Sequence, residues 1–456
     1  MRILLVIFLI CLGPTSGFTQ TKKPNIIFIL TDDHRWDALG FAGNLMIQTP
    51  EMDRLAAEGK FFENAFVTTP ICAASRASIL TGMYERTHGY TFGQGEIKQA
   101  YIDQSYPILL KDSGYFTGFF GKFGVNYGGF DQLFDVGESY DRNGAFNDRR
   151  GYFFKTIDQD TVHLTRYTGQ QAIDFIQESP TEKPFMLSLS FSAPHAHDPA
   201  EKQYFWSSQF DTMYQDLVIP DPLLKEDSYF QAQPEYVRNG ENRTRWHWRY
   251  DTPEKYQHSV KGYYRMISEV DAEIGKIRRA LEEKGLAENT VIILMGDNGY
   301  FLGERQLAGK WLMYDNSLRV PLIVFDPREK GGKREKAFAL NIDVPSTIFD
   351  LAGLPQPKSW QGVSLNSPQL AQRKEFLTEH LWQTPIIPPS EAIRTERWKY
   401  FRYLNDPQHE ELYDLSVDPL EKSNLANDPG HQGILEQLRQ KLEEKVEGYL
   451  GEKFYE

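Results

Sequence analysis

Two segments of this chain share a pattern that leaves little freedom in how it folds. Asn25-Ile26-Ile27-Phe28-Ile29-Leu30 is a continuous apolar run ending in Thr31-Asp32-Asp33-His34, and Thr290-Val291-Ile292-Ile293-Leu294-Met295-Gly296 ends in Asp297-Asn298-Gly299. Apolar runs of this length predict strands buried on both faces, as in parallel sheets covered by helices. Phe185–Phe191 and residues 321–325 read as further core strands, and residues 114–124 as a shorter one broken by glycines. Met266, Val270, Ile274, Ile277 and Leu281 recur at helical spacing and stop at Gly285, which predicts an amphipathic helix over the sheet. Ligands of open α/β sheets bind at the carboxyl ends of the strands, so the polar residues that close each apolar run are the candidate site.

Asp32 and Asp33 read either as solvated loop charge and helix capping or as ligands. Adjacent carboxylates repel, and a bound cation is the economical reason to keep them together. Asp297 and Asn298 follow the second strand in the same way. Four oxygen donors of this kind suit calcium or magnesium and not zinc.

Between the two strands lies residues 69–82, Thr-Pro-Ile-Cys-Ala-Ala-Ser-Arg-Ala-Ser-Ile-Leu-Thr-Gly, where an extended approach gives way to a helical run closed by Gly82. Cys72 falls at the mouth of that helix. A thiol there faces the positive end of the helix and the charge of Arg76, which favours reactivity; the alternative is a small buried residue beside a surface arginine. The chain has two cysteines, and Cys11 falls in a segment that reads as a leader, so the mature chain has no partner for an internal disulfide.

That leader spans residues 1–17: Arg2, an apolar run from Ile3 to Leu12, then Thr15-Ser16-Gly17. Its apolar core is too short to span a bilayer, and no other stretch qualifies as a membrane helix. Ile10 stands where a lipoprotein signal needs a small residue before Cys11, so soluble export, periplasmic or secreted, is expected over lipid anchoring. The remaining length suits one large α/β domain plus a smaller one, with apolar residues at 40%. A net charge of -13 argues against a nucleic-acid partner and requires that an anionic substrate be drawn by a local basic pocket.

At Cys72, Ser75, Arg76, Leu80, Thr81 and Gly82 the sequence resembles the signature of the type I sulfatases of the alkaline-phosphatase superfamily. Further matches are Asp32-Asp33, the approach from Thr49-Pro50 to Phe66, Lys122, Pro194-His195, Asp297-Asn298-Gly299, Gly309-Lys310, Tyr314 to Pro321 and Asp418-Pro419 to Leu425. The resemblance implies an α/β fold: a large, mixed, mostly parallel sheet sandwiched by helices, as a catalytic domain over residues 18–355. A smaller α+β subdomain, an antiparallel sheet plus helix, follows over 356–456, where the sequence turns to short strands and a closing helix marked by Leu435, Leu438, Leu442 and Val446.

The family's chemistry, carried over residue by residue, makes Cys72 the precursor of formylglycine, whose hydrate is nucleophile and metal ligand. Arg76 holds that group, Lys122 and Lys310 bind the sulfate, and His195 protonates the leaving oxygen. Asp32, Asp33, Asp297 and Asn298 bind one calcium ion. Ala74 replaces the proline usual in the signature, which implies maturation by the radical type of sulfatase-maturing enzyme. Export, acidity and the long aromatic insertion favour sulfated polysaccharides or oligosaccharides, such as algal glycans or glycosaminoglycans, over small aryl sulfates as substrates. A phosphodiesterase or phosphonate monoester hydrolase on the same fold, and an unmatured glycan-binding protein, are the competing readings. Two departures stand out. Asp315 takes a place where glutamate is commoner. Gly124 takes the place of a histidine that assists sulfate release, which makes His34 and His88 the candidates for a substitute base. His197 is read as loop packing. The stretch 201–259 reads as loop-rich, with Trp206, Trp246 and Trp248 beside Arg243, Arg245 and Arg249 either walling a sugar site or packing onto the domain.

Overall fold

A computed structural model describes residues 23–140, 153–198 and 200–450. The leader assigned to residues 1–17 lies outside them. The main sheet has eight described strands: β1 (Asn25–Thr31), β2 (Lys60–Phe62), β3 (Phe116–Gly121), β4 (Val136–Ser139), β5 (Phe185–Phe191), β6 (Thr290–Gly296), β7 (Leu322–Phe325) and β8 (Lys333–Glu335). Their order across the sheet is β8-β2-β7-β6-β1-β5-β3-β4. Of these, β7 alone runs against the others.

The unbroken apolar runs have a direct cause in this sheet. Successive side chains of a strand point to opposite faces, and both faces are covered. Ile26, Phe28, Val291 and Ile293 join one core with the helix α1 (Cys72–Thr81). Ile27, Ile29, Ile292 and Leu294 join a second core with the helices α2 (Leu164–Glu178) and α4 (Pro253–Glu283).

The helix expected from the spacing of Met266 to Leu281 begins earlier, at Pro253. The Thr252 hydroxyl accepts from the Lys255 amide at 3.2 Å and Pro253 takes the first helical position, a start signal that the apolar periodicity does not carry. The stretch read as loop-rich therefore contains the start of α4 and, before it, α3 (Glu241–Arg249).

The C-terminal part forms a four-stranded antiparallel sheet, β9 (Glu375–His380), β10 (Ser390–Thr395), β11 (Trp398–Tyr403) and β12 (Asp406–Asp414). It is closed by α5 (Gln432–Gly448), which buries Leu435, Leu438 and Leu442 in the core that contains α1. An ion cluster fastens the C-terminal sheet to the segment that follows Lys310: Lys399 of β11 pairs with Asp315 and, at 2.5 Å, with Glu421. No helix among the described residues is long and apolar enough to cross a membrane.

Candidate active site

Four adjacent parallel strands end side by side, and each delivers a site residue just beyond its last hydrogen bond. Thr31 of β1 pairs in register with Gly296 of β6 and Phe191 of β5, and Gly121 of β3 pairs with Ser190 of β5. Asp32-Asp33, Asp297-Asn298, His195 and Lys122 thus converge from distant parts of the chain. Gly121 makes the last step feasible: it has φ +117°, and a Cβ there would lie 1.9 Å from the Ser190 carbonyl oxygen.

Two neighbouring residues on an extended strand point apart. Asp33 instead takes φ +65°, a left-handed turn that aspartate tolerates better than most residues, and ligand atoms of Asp32, Asp33 and His195 come within 4.8 Å of one another. The Asp33 amide donates to Asp297 Oδ1 at 3.0 Å, and Asn298 Nδ2 donates to Asp33 Oδ1 at 2.7 Å. Among the described residues, Asp32 Oδ1, Asp33 Oδ2 and Asn298 Oδ1 are buried with no hydrogen-bond partner. Three orphaned oxygens in one place, each costly to bury unpaired, fit a hard divalent cation.

Charge supports the same reading. Lys122 Nζ donates to Asp32 Oδ2 at 2.6 Å, Lys310 Nζ to Asp33 Oδ1 at 2.5 Å and Arg76 Nε to Asp297 Oδ2 at 2.8 Å. Burial alone would raise the Asp32 carboxyl, but Lys122, His195 and Lys310 hold it well below the usual carboxylate range. Asp297 moves the other way, pushed up to about 6 by burial and by the charge of Asp32. Three carboxylates face three permanent cations, so a divalent ion would leave the site two charges positive, matched to an anionic ester.

Cys72 is the first residue of α1, and it is the only residue of that helix that is not buried. It opens, with Lys122, His195 and Lys310, into a pocket of about 770 Å³. One turn along, Arg76 donates to the Lys122 carbonyl at 2.5 Å and to Ser190 Oγ at 2.6 Å as well as to Asp297, so the guanidinium braces α1 against the strand ends. His195 Nδ1 donates to the Ala196 carbonyl at 2.5 Å, which leaves Nε2 facing Asp33 Oδ2 at 3.5 Å. Nε2 is thus the ring nitrogen turned toward the site, where a general acid would have to act. All nine residues singled out in the sequence therefore meet at one place.

The substitute bases do not. His34 contacts Thr31 Oγ1 through Nδ1 and the Ala38 carbonyl through Nε2, and burial pushes it down to about 4. His88 accepts from the Tyr90 amide and contacts Ser78 Oγ, and burial takes it to about 3. Both rings are packing elements with both nitrogens engaged. His197 packs against Phe153 and Phe205, as read from sequence.

The tryptophans of 201–259 do not wall the pocket either. Trp206 binds Asp211 and lies under Arg265, Arg243 stacks on Trp246 at 3.9 Å, and Arg249 is fully buried against Asp198. Of that stretch, Glu241 and Arg245 reach the pocket, whose aromatic lining includes Phe92, Trp311 and Trp382. Asp198, Glu241 and the last three carried no functional signal in the sequence: Glu241 opens the short helix α3, Asp198 and Trp311 lie just beyond the matched His195 and Lys310, and Phe92 and Trp382 lie on connections with no period to read.

An open sheet with hard oxygen donors at its strand ends, beside a half-exposed residue ringed by cations, defines a hydrolase of anionic esters. Comparison with known proteins narrows this. The sulfatase family model matches residues 24–354, and a second, N-sulphoglucosamine sulphohydrolase, C-terminal, matches 303–448. The chain belongs to the type I sulfatase family of the alkaline-phosphatase superfamily, enzymes that hydrolyse sulfate esters. It is 29% identical to an arylsulfatase of Clostridium perfringens, covering 93% of this chain and 95% of that one. It is 28% identical to an N-acetylglucosamine-6-O-sulfatase of Bacteroides thetaiotaomicron, covering 96% and 88%. A solved structure of a protein in complex with its substrate D-glucosamine-2-N,6-O-disulfate superposes with a TM-score of 0.78 at 26% identity, over 94% of this chain and 98% of that one. The expected fold, a mixed, mostly parallel sheet with helices and a C-terminal antiparallel sheet, is the one observed.

Proposed function

We propose that this chain removes sulfate ester groups from sulfated sugars, using one calcium ion and a formylglycine formed from Cys72. The observation that carries the reading is the half-exposed Cys72 at the mouth of α1, in one pocket with Lys122, Lys310 and His195 and beside three unpartnered oxygens. Formylglycine would supply an oxygen nucleophile, and Asp32, Asp33, Asp297 and Asn298 would hold calcium, which would supply a fixed positive charge. Lys122 and Lys310, anchored on Asp32 and Asp33, are positioned to neutralise the sulfate oxygens as charge builds on them. As the sulfur–oxygen bond breaks, His195 gives its Nε2 proton to the departing sugar oxygen, help worth about a hundredfold to ten-thousandfold. Arg76 keeps the helix that carries Cys72 in register with Asp297.

The relatives named for sulfated glucosamine support a sugar substrate. Export through the leader at residues 1–17, maturation by a radical enzyme and a domain boundary near residue 355 belong to the same reading.

Release of sulfate from a panel of sulfated mono- and oligosaccharides, by protein co-produced with a radical maturation enzyme, is the test. Sulfated sugars should be turned over, and a sulfate ester of a phenol should outpace the phosphodiester and phosphonate of the same phenol. Faster turnover of either phosphorus ester would reassign the reaction. Binding of the sugars without any turnover of matured protein would favour a glycan-binding role.

A further inference from the structure

The pocket is far larger than a sulfate, and its outer wall has a different charge balance from its floor. Arg245 sits one helical turn after Glu241 on α3. Its Nε donates to Glu241 Oε1 at 2.8 Å and its Nη2 pairs with Asp198 Oδ2 at 3.0 Å. One guanidinium face lies 4.6 Å from the Trp311 ring. The plane of Arg245 is thus fixed on two edges and one face, and its charge is already matched. Asp198 is also paired with Arg249, but that arginine is fully buried behind the wall.

Trp311 links this wall to the chemistry. It directly follows Lys310, holds φ +81°, and packs on Ile71 and Ala74 around Cys72. A large aromatic residue in the left-handed region is strained, and such strain persists where the surroundings enforce it. Trp382, which packs against the same apolar cluster as Trp311, meets Phe92 edge to face at 4.9 Å, and with Phe92 46% exposed the pair offers an apolar surface suited to a sugar ring.

We propose that Asp198, Glu241 and Arg245 form a subsite that binds uncharged hydroxyl groups of the sugar and rejects a second sulfate; this rests on the sulfated-sugar reading above. A hydroxyl can donate to either carboxylate and accept from the guanidinium, whereas a second sulfate would meet two carboxylates whose charges Arg245 and Arg249 already balance, with no cation left to receive it. The positive floor then holds the single sulfate for which the pocket has matching charge. Selectivity comes here from a repulsive element as well as an attractive one.

The test compares kcat/KM for glucosamine 6-O-sulfate and galactose 6-O-sulfate with the same sugars carrying a second sulfate. It uses matured full-length wild type, Glu241→Gln and Asp198→Asn. The wild type should prefer the monosulfated member of each pair by roughly tenfold or more, and each variant should narrow that ratio several-fold. A wild-type preference for the disulfated sugars, or ratios unchanged in the folded variants, would overturn the subsite; if one variant fails to fold, the other decides. Hydrolysis of 4-nitrophenyl sulfate reports the sulfatase chemistry independently. Its turnover with neither release from nor inhibition by any sugar would remove the sugar reading and the subsite together, whereas stronger inhibition by the disulfated sugars would remove the subsite alone.

Discussion

Gly124 lies so close against Arg76 that a Cβ on the glycine would stand 2.7 Å from Arg76 Cδ, and its backbone holds φ +72°. The place where the resemblance to the family implies a histidine is therefore not simply a truncated side chain. Backbone and arginine pack against each other, and a side chain at 124 could not begin without displacing Arg76.

Restoring the family residue should accordingly harm the enzyme. Gly124→His is expected to lower kcat at least tenfold and to cost about 1–3 kcal/mol of stability, through φ strain and displacement of Arg76. In the wild type, slow sulfate release should appear as a burst of leaving group before steady turnover. Faster turnover in Gly124→His would show that the glycine is a plain loss of a base.

Cys72→Ala should abolish turnover of matured protein while changing stability by no more than about 0.5 kcal/mol, because the side chain is only half-buried. Peptide mass spectrometry of protein from a maturing host should find the aldehyde at residue 72. Full activity with an unmodified thiol would be incompatible with the proposed nucleophile.

Calcium should stabilise chelator-treated protein by about 2.7 kcal/mol at a hundred times its Kd, read as a rise in Tm, and zinc should do less. Asp33→Asn should reduce the rise. Equal Tm with and without calcium after verified metal removal would contradict the four-oxygen site.

Lys399 neutralises Asp315 and Glu421 where the C-terminal sheet meets the segment that follows Lys310; burial would raise the Asp315 carboxyl, but Lys399 holds it down to about 2. Lys399→Met leaves two buried carboxylates without their cation and should cost about 3–5 kcal/mol in chemical denaturation. A neutral effect would mean that the cluster does not fasten the C-terminal sheet to the loop carrying Lys310.

Glu85 is fully buried, and burial, followed by the charge of Glu379, pushes its carboxyl up to about 8 from an ordinary 4.5. Between those values the folded chain binds the proton and the unfolded chain does not, so stability falls as pH rises through that window. Relative to Glu85→Gln, the wild type should lose on the order of a few kcal/mol between pH 5 and 9. Parallel pH profiles for the two proteins would refute the assignment.

What the sequence determined by itself was which segments are core strands and which donors close them. Unalternating runs such as Ile26–Leu30 are stable only when covered on both faces, and a parallel sheet places their carboxyl ends together, so Asp32, Asp33, Asp297 and Asn298 were legible as one site. The resemblance around Cys72 added the nucleophile and its cations. Tertiary structure alone decided the rest. His34 and His88 are near the site along the chain, but their ring nitrogens are spent on local hydrogen bonds, which no spacing reveals. The outer wall of the pocket joins Glu241 at the start of α3 with Asp198, Trp311 and Trp382 from three separate connections. Loops have no period to read, and their residues become a surface only when the sheet beneath them fixes where each connection ends.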